Sequence, residues 1–473
     1  MSGGLQPVRA ALAGRRAWLV GGVVRDRALG REQAAVDVDV VIDGDPAEAA
    51  HAVARAGEPA ACFALSEEFG AWRVVARDHS WQVDVEPMRG ESLAADLALR
   101  DFTVNAIAEP IEGGDPIDPL GGLEDLRARR LRAAGAQAFA SDPLRVLRLV
   151  RVALELALVP DADTTRAARA AASALRGVSS ERVFMELRRI LATPAAVRGV
   201  EMLGELGAAA IVLPEIEALR GVEQSRFHHL DVYGHTLEVL AETVALSSPG
   251  AAEASWPGRP FGGHGEAVAA LLAEPLADEL TRGEALRWAA LLHDAAKPLT
   301  RAVRPDGRVT FIGHDVRGAA LAREVLGRLR ASERLRAHVA ALVAHHLRLG
   351  FLVHEPQPLS RRTVYAYMRS CSPVEVDVTL LSVADRLATR GDRAQESIEA
   401  HLRVAEGLIG DALSWRAEGP PAPLLRGDEL TQALGIPPGP RVGELLEQLA
   451  EARYAGELAT REQALDYVRE LAR

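Results

Sequence analysis

A chain of 473 residues is too long for one hydrophobic core and predicts two to four domains. Its 48% hydrophobic content with only 4% aromatics predicts a soluble, helix-dominated protein, and a formal net charge of -11 excludes a global basic field, leaving room only for a local nucleic-acid surface. Two distant cysteines, Cys62 and Cys371, exclude a disulfide framework or a cysteine zinc motif, the N-terminus lacks the apolar core of a signal peptide, and no apolar run reaches membrane-spanning length, so a cytoplasmic location is expected.

In chain order, the first informative stretch runs from Trp18 to Asp39. It reads as an apolar strand, a break at Gly21-Gly22, a helix carrying Arg25 and Asp26, and a second strand bearing Asp37 and Asp39. Residues two apart on a strand share a face, so both carboxylates can point at one spot. Hard oxygen ligands of that kind suit Mg²⁺, and a glycine turn into a helix offers backbone N–H groups to an anion. Each feature alone is common; inside one strand-turn-helix-strand unit they suggest phosphoryl or nucleotidyl transfer.

The next segment alternates short strands with one helix. Pro46 to Arg55 is predicted helical behind Asp45 as N-cap, and Trp72–Ala76 and Trp81–Val85 as strands joined by the turn Arg77-Asp78-His79-Ser80. Asp84 and Glu86 share a face, so either can be a third carboxylate or a solvated strand charge. Arg100, Asp101 and Asn105 follow, and then Asp118-Pro119 with Gly121-Gly122, a turn before a helix. Ser141 to Arg151 is predicted as one helix, with Arg145, Arg148 and Arg151 near one face and Asp142 three residues before Arg145. Arginines continue at 166, 169, 176, 182, 188 and 189, the local basic surface that an RNA partner requires, and Ser179-Ser180-Glu181-Arg182 reads as a helix start.

The ordered motifs Gly-Gly-x-Val-Arg-Asp, Asp-x-Asp, Arg-Asp-Phe-Thr-x-Asn-Ala, Asp-Pro-x-Gly-Gly, Asp-x-x-Arg and Ser-Ser-Glu-Arg resemble the class II tRNA nucleotidyltransferases, the CCA-adding enzymes, with bacterial poly(A) polymerases as close relatives. The resemblance implies an α+β protein: an N-terminal mixed-sheet nucleotidyltransferase head over residues 1–126, then all-α RNA-binding (127–220), HD (221–410) and C-terminal helical (411–473) regions. It implies that Asp37 and Asp39 bind two Mg²⁺ ions, one activating the tRNA 3′-hydroxyl and the other steadying pyrophosphate. Gly21, Gly22 and Arg25 would hold the triphosphate, Arg100 would support the nucleotide, and Asn105 would contact sugar or backbone. Asp142 and Arg145 would read the edge of C or A by pairing logic also used in nucleic-acid grooves, with Arg148 and Arg151 facing triphosphate. Ser141 departs from the Glu that usually precedes this Asp.

From residue 227 the chain turns all-helical and histidine-bearing. His235, His293, Asp294 and Asp385 resemble the ligands of an HD phosphohydrolase, a set suited to a divalent transition metal. His314 and either His345 or His346 could add ligands for a second ion. Such a site would hydrolyse a phosphoester. Residues 248–266 read as a surface loop, 419–427 as a linker, and the segment beyond as the family's C-terminal tail.

Specificity is read from a departure. Relatives that add the full CCA carry an arginine-rich flexible loop between the Asp-x-Asp strand and the Arg-Asp-Phe-Thr segment; here Arg89-Gly90-Glu91-Ser92 passes almost directly to Asp96 through Arg100, and Leu99 stands where the family usually has the first of two arginines. This resembles the CC-adding subgroup, with tRNA and CTP as partners and a separate enzyme adding A from ATP. A full CCA-adding enzyme, a poly(A) polymerase, and an HD phosphohydrolase with an RNA-binding head are the rival readings.

Overall fold

The computed structural model describes residues 5–31, 37–56, 60–66, 70–224, 229–247, 261–390 and 394–471. The chain forms two compact units, Met1–Ser179 with Glu201–Val212, and Ser180–Val200 with Leu213–Arg473. The division passes through the helical segment expected to link head and HD region.

The first unit is built on the expected mixed sheet. Helix α1 (Leu5–Ala11) precedes strand β1 (Ala17–Val20), helix α2 (Gly22–Ala28), β2 (Asp37–Ile42), α3 (Pro46–Ala56), β3 (Ala60–Ser66), β4 (Ala71–Ala76), β5 (Gln82–Pro87), α4 (Leu93–Ala98) and β6 (Ala108–Pro110). The sheet order is β3-β4-β5-β2-β1-β6. Strands β2 and β5 run parallel, and every other neighbouring pair is antiparallel. The alternation of β2 explains its two faces: Val38, Val40 and Ile42 are buried, whereas Asp37 is exposed and Asp39 half-buried on the other side. That second face is covered at one end by a small cluster of Val20, Val41, Leu97, Ala106 and Ala108, so α4 packs beside the carboxylates. The strand-turn-helix-strand expected from Trp18 to Asp39 is present, although residues 32–36 lie outside the described residues. Helix α5 (Gly122–Arg127) then packs on the turn Thr103–Asn105, where a methyl group on Gly122 would lie 2.1 Å from Thr103 O.

One helix prediction needs correction. Ser141 to Arg151 is not continuous: α6 (Ala138–Ser141) ends, Asp142 is extended at φ -149 and ψ 100, and α7 (Arg145–Leu156) begins afterwards. The physical reason is Pro143, which pushes the residue before it out of the α region.

The second unit opens with α8 (Ser180–Ala192), starting where the Ser-Ser-Glu-Arg motif predicted. Beyond it come α9 (Val232–Ser247), α10 (Arg282–Leu292), α11 (His314–Arg328), α12 (Glu333–His345), α13 (Glu375–Leu387) and α14 (Ala394–Glu418). The unit is not wholly helical, because Pro275–Ala277 pairs with Leu280–Thr281 and Ala302–Val303 with Val309–Thr310. Of the expected surface loop, 248–260 lie outside the described residues. After 419–425, which carry no helix, Leu425, Leu430, Leu445, Leu449 and Val468 build a small core of their own. Among the described residues no helix is long and apolar enough to cross a membrane.

Candidate active site

Asp37 and Asp39 leave the same face of β2, and the parallel register sets Gln82 opposite Asp37, Asp84 opposite Asp39 and Glu86 opposite Val41. Asp84 is therefore the acidic neighbour of Asp39, with Glu86 one step further along. Gln82 Nε2 donates to Asp37 Oδ1 at 2.7 Å. Burial raises the Asp39 carboxyl to about 7, opposed by the Arg100 guanidinium and reinforced by Asp37, Asp84 and Glu86. A carboxyl that burial raises to about 7, with further carboxylates beside it, fits a divalent cation, whose charge reverses the balance.

Gly21 closes the site from the adjacent strand end. Its φ of 72° and ψ of -137° suit glycine, and a methyl group there would lie 2.8 Å from Asp39 Oδ2 and 3.7 Å from Arg100 Nη1. The backbone thus approaches the carboxylate at a distance that only a missing side chain allows. Arg100 lies 3.7 Å from Asp96 through its Nε.

Arg25 is held on both sides. Its Nε and Nη2 donate to Asp26 at 2.8 and 3.0 Å, and Nη1 donates to Asn105 Oδ1 at 2.7 Å. Asn105 donates in turn to Asp101 Oδ1 at 3.0 Å, and Arg148 on α7 reaches Asp101 Oδ2 at 3.4 Å. Burial would raise the Asp101 carboxyl, yet Arg148, Asn105 and the Phe102 N–H hold it below the usual range. One polar chain therefore runs from the glycine-turn helix to α7.

Arg145 is placed by backbone oxygens. Nη1 donates to the carbonyls of Arg100 and Ala138 at 3.1 and 3.0 Å and to Ser141 Oγ at 3.2 Å, and Nη2 donates to Leu99 O at 2.9 Å. Ser141, the departure from the family pattern, thus contacts the arginine of the same motif. Asp142 caps the turn through Leu144 N at 3.2 Å instead of riding on the helix. Arg151 is buried and pairs with Glu155 at 2.8 Å. Sequence reasoning missed Arg73 on β4, which binds Asp84 through both oxygens at 2.7 Å. Its signal was present, since an arginine among the apolar residues of an interior strand requires an acidic partner.

The HD residues converge in the second unit. His235 Nε2 lies 3.0 Å from Asp385 Oδ1 and 3.7 Å from Asp294 Oδ2, His293 Nε2 3.1 Å from Asp294 Oδ2, and His314 Nε2 3.3 Å from Asp294 Oδ1. His346, not His345, completes the set, because ligand atoms of Asp294, His314 and His346 cluster as closely as those of His235, His293 and Asp294. The Nδ1–H groups of His293, His314 and His346 donate to the carbonyls of Ala290, Phe311 and Val343 at 2.8, 2.7 and 2.7 Å. This fixes the tautomer that presents a bare Nε2 to a cation. The buried Nε2 atoms of His293 and His314 make no hydrogen bond. Burial lowers His346 to about 4, aided by His293, which keeps it neutral as ligation requires. Lys297, also missed from sequence, sits 2.6 Å from Asp294 Oδ2. A cavity of about 640 Å³ opens beside this cluster, with Phe311, Phe351, Arg386 and His401 among its lining. The arrangement fits one or two divalent ions.

Comparison with known proteins places the chain in a family. The poly(A) polymerase head domain matches residues 17–132, the probable RNA- and SrmB-binding site of polymerase A residues 159–219, and the HD domain residues 263–390. The A-adding tRNA nucleotidyltransferase of Deinococcus radiodurans is 38% identical over 96% of this chain and 95% of its own length. The CC-adding tRNA nucleotidyltransferase of Thermus thermophilus is 34% identical over 95% of this chain and 92% of its own. A structure of the Thermotoga maritima CCA-adding enzyme complexed with tRNA has the same fold at 19% identity, with a TM-score of 0.62 over 98% of this chain and 95% of that one. With relatives matched nearly end to end above 30% identity, this chain belongs to the class II tRNA nucleotidyltransferase family and is an enzyme of the nucleotidyltransferase class.

Proposed function

We propose that the head adds two C residues to the tRNA 3′ end from CTP without a nucleic-acid template, and that a separate enzyme adds the terminal A from ATP. The observation that carries this reading is the connection from β5 to α4, which spans only residues 88–92 and leaves no room for an arginine-rich switching loop. Asp37 and Asp39 would hold two Mg²⁺ ions, which supply charge for deprotonating the 3′-hydroxyl and releasing pyrophosphate. The chain's own residues bind and orient. Gly21, Gly22 and Arg25 face the triphosphate, Arg100 sits between Asp39 and the nucleotide, and Asp142 with Arg145 reads the base edge. Arg148 stands over the same end through Asp101, whereas Arg151 would have to exchange Glu155 to reach a phosphate. Residues 1–126, 127–220, 221–410 and 411–473 serve as head, RNA-binding neck, HD region and tail, with arginines of the neck contacting tRNA in the cytoplasm.

The test is incubation of the purified protein with tRNA lacking CCA and CTP, with tRNA ending in CC and ATP, and with both nucleotides together. Addition of two C and no A is the expected result. A full CCA end from the first tRNA, or A added to the CC end as the Deinococcus relative's name describes, would sink the CC-only reading.

A second activity is supported by the convergence of His235, His293, Asp294, His314, His346 and Asp385: metal-dependent hydrolysis of a phosphoester by a divalent transition metal. Release of inorganic phosphate or opening of a cyclic phosphate that persists in Asp39→Asn assigns it to the HD region. Loss of both activities in that variant contradicts this assignment.

A further inference from the structure

Arg73, Asp84 and Asp39 occupy facing positions on three adjacent strands, β4, β5 and β2. Their side chains leave one face of the sheet in a row, with Asp84 in the middle. Arg73 engages that middle carboxylate completely: Nε donates to Oδ1 and Nη2 to Oδ2, both at 2.7 Å. A two-point guanidinium contact of this kind turns both oxygens toward the arginine, which here means toward β4 and away from Asp39. The pair is well shielded, with 28% of the Arg73 side chain and 13% of the Asp84 side chain exposed. Asp37 is held differently, by a single neutral donor on one oxygen from Gln82.

We infer that the Arg73–Asp84 pair is a latch that withholds Asp84 from the cation site, so that the metal rests on Asp37 and Asp39 alone. A third carboxylate whose two oxygens are both engaged by its own guanidinium has none turned toward the cations and adds no net charge to their site. Arg73 is thus a positioning residue: it keeps the third carboxylate of the row structural, and releasing it converts Asp84 into an additional ligand. The inference rests on the reading of Asp37 and Asp39 as the metal ligands of the head.

The latch is tested by Mn²⁺ binding to the full chain, followed by electron paramagnetic resonance of the free ion, with the head sites defined as those lost in Asp39→Asn. Asp84→Asn is expected to change their affinity by less than about threefold, whereas loss of a true outer partner or ligand typically costs about 10- to 100-fold. Arg73→Met, which frees Asp84, is expected to tighten Mn²⁺ binding by about tenfold. Arg73→Lys, which keeps the charge but cannot make the two-point contact, falls between wild type and Arg73→Met and serves if the methionine variant fails to fold. A tenfold loss in Asp84→Asn, or weaker or unchanged binding in the folded Arg73 variant, overturns the latch alone. A wild-type protein with no Mn²⁺ site sensitive to Asp39→Asn overturns the reading of the head on which the latch rests.

Discussion

Gly21 and Asp39 are in contact through an absent side chain: the glycine turns its backbone against the carboxylate, and a methyl group on it would sit 2.8 Å from Asp39 Oδ2. The glycine also has a positive φ of 72°, so an alanine there meets both strain and collision. Gly21→Ala is expected to lower head stability by about 1–3 kcal/mol and to abolish nucleotide incorporation. Thermal unfolding and a CTP incorporation assay check the two effects separately; an alanine variant with normal incorporation would show that the close approach has no role in catalysis.

Asn105 links Arg25 to Asp101 by accepting from one and donating to the other. Asn105→Ala leaves a partly buried guanidinium without its end-on acceptor. The expected loss is about 1–2 kcal/mol of stability, with a rise in KM for CTP larger than the fall in kcat, the split that a positioning role without a part in bond making would give. Steady-state kinetics with CTP separates these. Asn105→Asp, which keeps an acceptor for Arg25 but sets a second carboxylate against Asp101, should also raise KM.

His338 predicts a pH dependence in the second unit. Burial lowers it to about 4 from an ordinary 6.5; Asp377, 3.6 Å away, opposes this, while Arg282, Arg334 and Arg416 reinforce it. Its folded pKa is depressed, so the unfolded chain binds the proton first as pH falls. The stability contribution is therefore complete above pH 6.5 and is lost progressively down to about 4. At roughly 1.4 kcal/mol per pKa unit the loss is at most about 3.5 kcal/mol. Urea unfolding between those pH values should show this slope, and His338→Gln should flatten it by about one proton. His401, also lowered to about 4 by burial, accounts for part of the slope that remains.

His293 is fully buried and presents Nε2 to Asp294 with Nδ1 fixed on a carbonyl. His293→Ala is expected to remove metal from the HD site while leaving CTP incorporation within about twofold of wild type, because sites without shared partners act additively. Elemental analysis of the purified protein together with both activity assays measures this. Full metal content in the variant would exclude His293 as a ligand.

Much of the catalytic head was legible in the sequence because the governing rules are local. Asp37 and Asp39 share a face by strand pitch alone, Gly21-Gly22 announces a turn without side chains, and a dipeptide such as His293-Asp294 places an imidazole and a carboxylate at one helix end. The break at Asp142 has a local cause in Pro143, against which the arginine spacing of 145, 148 and 151 carries no information. Spacing could not show that Arg151 is buried and paired with Glu155 one turn further on.

The sequence by itself determined the chemistry on offer: which segment carries the carboxylates, which carries the histidines, and that Arg89-Gly90-Glu91-Ser92 passes almost directly to Asp96 through Arg100. Tertiary structure decided which of those groups meet. The parallel pairing of β2 with β5 chose Asp84 over Glu86 as the neighbour of Asp39, and the antiparallel pairing with β4 gave that neighbour to Arg73. Likewise the fold chose His346 over His345. The reason is the same in each case: strand pitch and helix periodicity fix a side chain's direction within its own element, but register and the crossing of distant elements fix what lies opposite it.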